Sequence, residues 1–215
     1  MEHTTDITSI NELKLELPFQ RVHRTWDLKV AHWVSNSASP PLTALYATLL
    51  VSFIIATPMG WFWAATNIIV GILLPVVFVL WLQHRGIISD FEIYYRKQRT
   101  LPYLFMIGCS FAALLAMCLG SAPRLYCVLV TTGLVQTVLM FIVNLRWKIS
   151  GHTAAMASFT VVASLLAGVF AAPAWIALPV VAWSRIHMHK HTLAQTIAGA
   201  TLSILLFSAS FYLFL

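Results

Sequence analysis

The sequence predicts an all-α, multi-pass membrane protein, a bundle of about six to seven transmembrane helices, and two observations carry that prediction. The first is composition: of 215 residues, 60% are hydrophobic and only 9% charged, with a mean hydropathy of +0.83. Soluble domains carry about 25% charged residues, so this chain cannot cover a water-facing surface without exposing apolar patches of the kind that aggregate. The second is layout: beyond residue 41 the apolar residues form successive runs, most of them near the roughly 20 residues a helix needs to cross hydrocarbon.

Taken in order, residues 1–41 read as a polar arm and 42–215 as the transmembrane domain. Within the arm Val22, Trp26, Val30 and Trp33 recur at helical spacing, with Arg21, Asp27 and Lys29 on other faces, the pattern of a short helix lying on the headgroups. Pro40 and Pro41 close the arm. Apolar spans are then expected at 42–59, 62–82, 103–120, 125–144, 153–171, 173–186 and 192–215, the sixth being short and carrying Pro173 and Pro179. Trp61, Trp63, Trp81, Trp147, Trp175 and Trp183 fall near span ends, where interfacial anchors belong. The polar start argues against a cleaved leader. Cys109, Cys118 and Cys127 lie in apolar runs without CxxC spacing and read as small hydrophobic residues.

Charge is distributed unevenly. Seven spans put the arm and the loops 83–102, 145–152 and 187–191 on one side, together with 12 of the 13 basic side chains; Arg124 alone falls opposite. The positive-inside rule then assigns the arm and these loops to the cytoplasm. No residue after Glu92 bears a carboxylate side chain, which excludes any mechanism needing clustered acids downstream.

Three polar clusters land on that basic side. One runs from Asp90 and Glu92 through Arg96, Lys97 and Arg99 to Pro102. The second is Trp147-Lys148-Ile149-Ser150-Gly151-His152. The third contains Ser184, Arg185, His187, His189, Lys190, His191 and Gln195. Cations and backbone N–H groups of this kind neutralise phosphoryl oxygens, while one histidine attacks and another protonates the leaving oxygen. Gly151-His152 and His191 are expected to open helices, whose N-termini favour anions. A glycine at 151 also allows the backbone close approach to a phosphate.

In this order the clusters resemble the type-2 phosphatidic acid phosphatase (PAP2) superfamily, whose motifs are Lys-x6-Arg-Pro, Pro-Ser-Gly-His and Ser-Arg-x5-His-x3-Asp. Ser150-Gly151-His152 matches the second motif with Ile149 in place of proline. Ser184-Arg185 and His191 match the third, with Gln195 where aspartate is expected. The first is divergent: Arg99 is separated from Pro102, and Glu92 stands where the lysine would be. The resemblance covers about residues 83–200 and implies a PAP2-like bundle that removes phosphate from a lipid phosphate or diphosphate, without metal or other cofactor. It casts His191 as the nucleophile that becomes phosphohistidine and His152 as the acid for the leaving group. Arg185 and Arg99, with Lys97 or Arg96, would hold phosphoryl oxygens, and Ser150 and Gly151 would add hydrogen bonds. At i+4 from His191, the Gln195 amide oxygen can accept the imidazole N–H; a carboxylate from Asp90 or Glu92 is the other source of an orienting partner.

Other readings stay open beside this one. His187, His189 and His191 alternate as a metal-binding run would, although Arg185 and Lys190 repel a cation and no carboxylate or cysteine is near in sequence. A lipid phosphotransferase, an inactive lipid-phosphate binder, or a small-solute transporter using Asn67, Gln136 and Gln195 are the functional alternatives. The expected partners are a phosphorylated lipid and membrane lipids, with no nucleic acid; the sequence leaves the oligomeric state open.

Overall fold

The computed structural model describes residues 26–214, which contain helices and no strand. They comprise α1 (Trp26–Ser37), α2 (Pro40–Ile55), α3 (Pro58–His84), α4 (Thr100–Leu119), α5 (Arg124–Asn144), α6 (Gly151–Ala167), α7 (Ala172–His187) and α8 (Leu193–Phe214). Five helical runs are long and apolar enough to cross a membrane, or six if α1 and α2, bent by 48° at their junction, form one span. The chain is thus a multi-pass membrane protein.

Local chemistry sets the breaks. Thr57 caps α3 by accepting from Gly60 N at 3.1 Å, Pro58 fits the first helical turn, and Ala56 ends α2 in a left-handed conformation (φ 50°). The turn therefore falls at Ala56–Thr57, earlier than the expected boundary at 59–62. The run from Gly151 to His187 is continuous in hydropathy but folds back at Gly168 (φ 57°). Thr160 Oγ1 donates to Ala174 O (3.3 Å) and Trp175 Nε1 to Ser164 Oγ (2.9 Å), contacts that a straight helix cannot make. A π-helical turn, Asn67–Leu73, interrupts α3, where Asn67 Nδ2 donates to Thr48 Oγ1 of α2 (2.9 Å).

Lipid supplies no hydrophobic force between helices, so small residues and polar contacts hold them. Ala47, Ala64, Ala113, Met117, Tyr126 and Val162 form the main packed cluster. Tyr126 bridges α5 to Ser52 of α2. Gln136 of α5 donates to Ser203 of α8 (3.1 Å) and accepts from Ser158 of α6 (2.7 Å), so this candidate transport residue acts as a three-helix tie. Trp61, Trp81, Trp147, Trp175 and Trp183 are exposed, as interface anchors should be. Trp63 is not: it is 5% exposed and packs in the core beside Gly120, because its helical register turns it inward. Of the expected arm face, Trp26, Val30 and Trp33 are exposed on α1, while Ala31 and Ser35 are buried against α7; Arg21 and Val22 lie outside the described residues.

Candidate functional site

The loops 85–95, 145–150 and 188–192 meet at one end of the bundle, and their meeting is driven by backbone chemistry. Helix α7 ends in a Schellman turn in which His189 adopts φ 53°, His189 N donates to Ile186 O (2.9 Å) and Lys190 N to Arg185 O (3.0 Å). His191 N donates to that same carbonyl at 3.2 Å, which fixes His191 directly against Arg185. Ser150 N donates to Gln195 O (3.2 Å), and Ser150 Oγ caps α6 by accepting from Thr153 N (3.5 Å). The close docking of α6 on α8 requires Gly199, since a Cβ there would lie 2.6 Å from Ser150 O.

His191 precedes α8 rather than opening it; Thr192 is the cap. Thr192 and Gln195 form a reciprocal capping box, with Gln195 N donating to Thr192 Oγ1 (3.3 Å) and Thr192 N to Gln195 Oε1 (3.2 Å). The same Oε1 lies 3.0 Å from His191 Nδ1. A backbone N–H can only donate, so the amide must present its oxygen, and Nδ1 must then carry the proton. The lone pair of His191 is left on Nε2. The contact arises from the capping box and not from the helical i+4 spacing that the sequence suggested.

Arg185 is 2% exposed. Its Nη1 and Nη2 donate to the two carboxylate oxygens of Glu92 at 3.0 and 3.2 Å, and Nη1 also donates to Ser35 Oγ of α1. Its Nε–H is buried and without a partner among the described residues. Arg99, 9% exposed, donates from Nε to Ile93 O (2.8 Å) and from Nη1 to Ile149 O (3.5 Å), joining the first cluster to the second. His152 is buried on the first turn of α6, within the field of Arg185, Glu92, His191 and Arg99. Gly151 meets only Pro40, at 3.9 Å from a notional Cβ, so nothing in the packing demands a glycine there.

The structure thus brings together His191, His152, Gln195, Arg185, Arg99, Ser150 and Gly151. It leaves Arg96 and Lys97 outside. Arg96 Nη1 donates to Asn144 O (3.0 Å) and to Leu145 O, capping the end of α5, and Lys97 is exposed with no ammonium partner among the described residues. The 3₁₀ turn Arg96–Arg99 aims only Arg99 inward. Lys148 and Lys190 supply the further cations: both face the Tyr94 ring (3.9 and 5.5 Å), and Lys190 Nζ is 3.5 Å from Glu92. Neither had a phosphate-holding role from the sequence; their places, two residues before Ser150 and next to His191, are the signal that could have found them.

Electrostatics follow from this crowding. Burial, reinforced by the charges of Arg185, Arg99 and Lys148, lowers the His191 pKa to about 3, against a raising contribution from Gln195. Burial likewise lowers Lys148 to about 8, helped by Arg99, Arg185 and Lys190. For Glu92 burial acts upward, but the hydrogen bonds and charge of Arg185 outweigh it and hold the carboxyl near 2. Asp90 accepts from Ser89 Oγ and Tyr94 N, which organises its own loop and makes it no partner of His191. The three alternating histidines diverge: His187 pairs with Asp27 at 3.0 Å and stacks on Trp183, His189 is exposed, and His191 faces Gln195. Among the described residues no three His, Cys, Asp or Glu side chains converge on one point.

Comparison of the chain with family models, with curated proteins and with solved structures gave no match.

Proposed function

We propose that this protein is a membrane phosphatase of the PAP2 type, acting on a phosphorylated or diphosphorylated lipid through a phosphohistidine. The observation that carries the reading is the His191–Gln195 contact, which leaves an unprotonated Nε2 within the field of three cations, Arg185, Arg99 and Lys148. In the first step Nε2 attacks phosphorus, the bond to the lipid oxygen breaks, and His152 gives that oxygen a proton. In the second, water attacks phosphorus and gives a proton to His152, the P–Nε2 bond breaks with its electron pair returning to Nε2, and inorganic phosphate leaves. Arg185 and Arg99 would stabilise the charge that gathers on the phosphoryl oxygens in both steps, with the half-buried backbone of Gly151 at the α6 N-terminus. The lipid-facing helices around this end would deliver a substrate whose tail stays in the bilayer.

The test is phosphate release by the purified protein from a panel of lipid phosphates and diphosphates with EDTA present, with acid-quench trapping of the phosphoenzyme. Turnover by the wild type and loss of both turnover and label in His191→Ala are expected. A label that persists in His191→Ala would overturn the nucleophile, and activity lost to EDTA and restored by zinc would favour metal chemistry instead.

A further inference from the structure

The polar contacts of Arg185 divide its planar guanidinium into a used edge and an unused one. The end-on edge, Nη1 with Nη2, grips both oxygens of Glu92, and the outer Nη1 hydrogen goes to Ser35. The side-on edge consists of Nε–H and the second Nη2 hydrogen, which point the same way. Among the described residues Nε is buried without an acceptor, and Nη2 meets no second one. A buried donor without an acceptor is costly, and this pair has the spacing that receives two oxygens of one phosphoryl group.

Glu92 is held in place from beneath. Ile93 adopts φ 52°, a left-handed conformation that a β-branched residue rarely takes. Its side chain nonetheless sits in an apolar cluster with Val79, Leu82 and Ile88, and its carbonyl receives Arg99 Nε. Such strain persists only where the surroundings over-determine it. Here it lies next in the chain to the Glu92 that Arg185 grips, and its carbonyl anchors the second arginine.

We infer that Glu92 and Ser35 are positioning residues for the anion site, clamping the end-on edge of Arg185 so that its side-on edge is presented to the phosphoryl oxygens. The inference rests on the phosphatase reading. It makes the α1 arm part of the site through Ser35, and it gives the acidic replacement at position 92 a purpose: the carboxylate works through Arg185 rather than through the nucleophile.

Phosphate-dependent thermal stabilisation of the full-length protein in detergent reads the site without turnover, with kcat/KM on the best lipid phosphate measured beside it. Glu92→Gln is expected to weaken inorganic phosphate binding about 10- to 100-fold, the loss of a charge-assisted hydrogen bond. Glu92→Asp and Ser35→Ala should lose less, by a few-fold. In an Arg185→Lys background Glu92→Gln should add almost nothing, because the fork it serves is gone. Phosphate binding in Glu92→Gln or Ser35→Ala as tight as in the wild type, or tighter, would overturn the inference and make the carboxylate a competitor for the seat. So would an undiminished effect in the Arg185→Lys background. A wild type that phosphate does not stabilise at all would overturn the phosphate-site reading itself, and this inference with it.

Discussion

Gln195 spends one oxygen on two donors, Thr192 N and His191 Nδ1, and this couples the helix cap to the state of the nucleophile. Gln195→Ala removes both contacts, so kcat/KM should fall at least about tenfold, with a fall in melting temperature from the lost cap. Gln195→Glu keeps the capping box but sets a negative charge on Nδ1, which raises the His191 pKa; the acidic limb of log kcat/KM against pH should move upward. In the wild type that limb should lie well below 6.5, toward 3. The same shift has a stability counterpart. Because the fold disfavours the charged ring, stability is full above pH 6.5 and declines as pH falls toward 3, where the unfolded chain takes up the proton first. On the alkaline side Lys148 loses its charge near pH 8, and kcat/KM should fall there. Lys148→Arg, which stays charged, should move this alkaline limb upward; a limb unmoved in Lys148→Arg would separate Lys148 from the reaction.

At the scale of elements, two glycines 48 positions apart in the chain flank one junction and respond to substitution differently. A Cβ at Gly199 would lie 2.6 Å from Ser150 O and 3.0 Å from Thr153 Oγ1, so Gly199→Ala must push α6 from α8. The expected cost is about 1–3 kcal/mol of stability and a large loss of activity, since Ser150, Gly151 and His152 ride on that helix end. A Cβ at Gly151 meets Pro40 at an ordinary 3.9 Å. Gly151→Ala should therefore melt like the wild type yet bind phosphate more weakly, through the added methyl group at the α6 N-terminus. Thermal unfolding and phosphate titration of the two variants check the contrast; equal phosphate affinity in Gly151→Ala and wild type would free that backbone from substrate contact.

For the whole molecule, α8 starts beside the site, where Thr192 and Gln195 cap it, and its 22 residues carry the C-terminus away from that end. Among the described residues the basic side chains gather at the site end, with Arg124 at the other. Combined with the positive-inside rule, this predicts a cytoplasmic site and arm and a C-terminus across the membrane. Reporter fusions at both termini test it: signals on the same side would mean an even number of crossings, with α2 or an arm of the Gly168 hairpin turning back within the bilayer.

Composition and the length of the apolar runs by themselves determined a helical membrane protein, because no other arrangement hides so many apolar side chains and unpaired backbone groups. Histidine, arginine and glycine at fixed spacing near run ends were equally legible, since short loops hold neighbours in sequence near one another in space. The tertiary structure alone decided which cations face inward. Arg96, Lys97 and Arg99 are indistinguishable in a linear reading, yet a single 3₁₀ turn sends Arg96 to the α5 carbonyls, Lys97 to the surface and Arg99 to the site. It decided likewise that Trp63 is core, and that Glu92 and Ser35 close on Arg185 from 93 and 150 positions away. Contacts at such separations depend on how helices pack, and no local pattern encodes them.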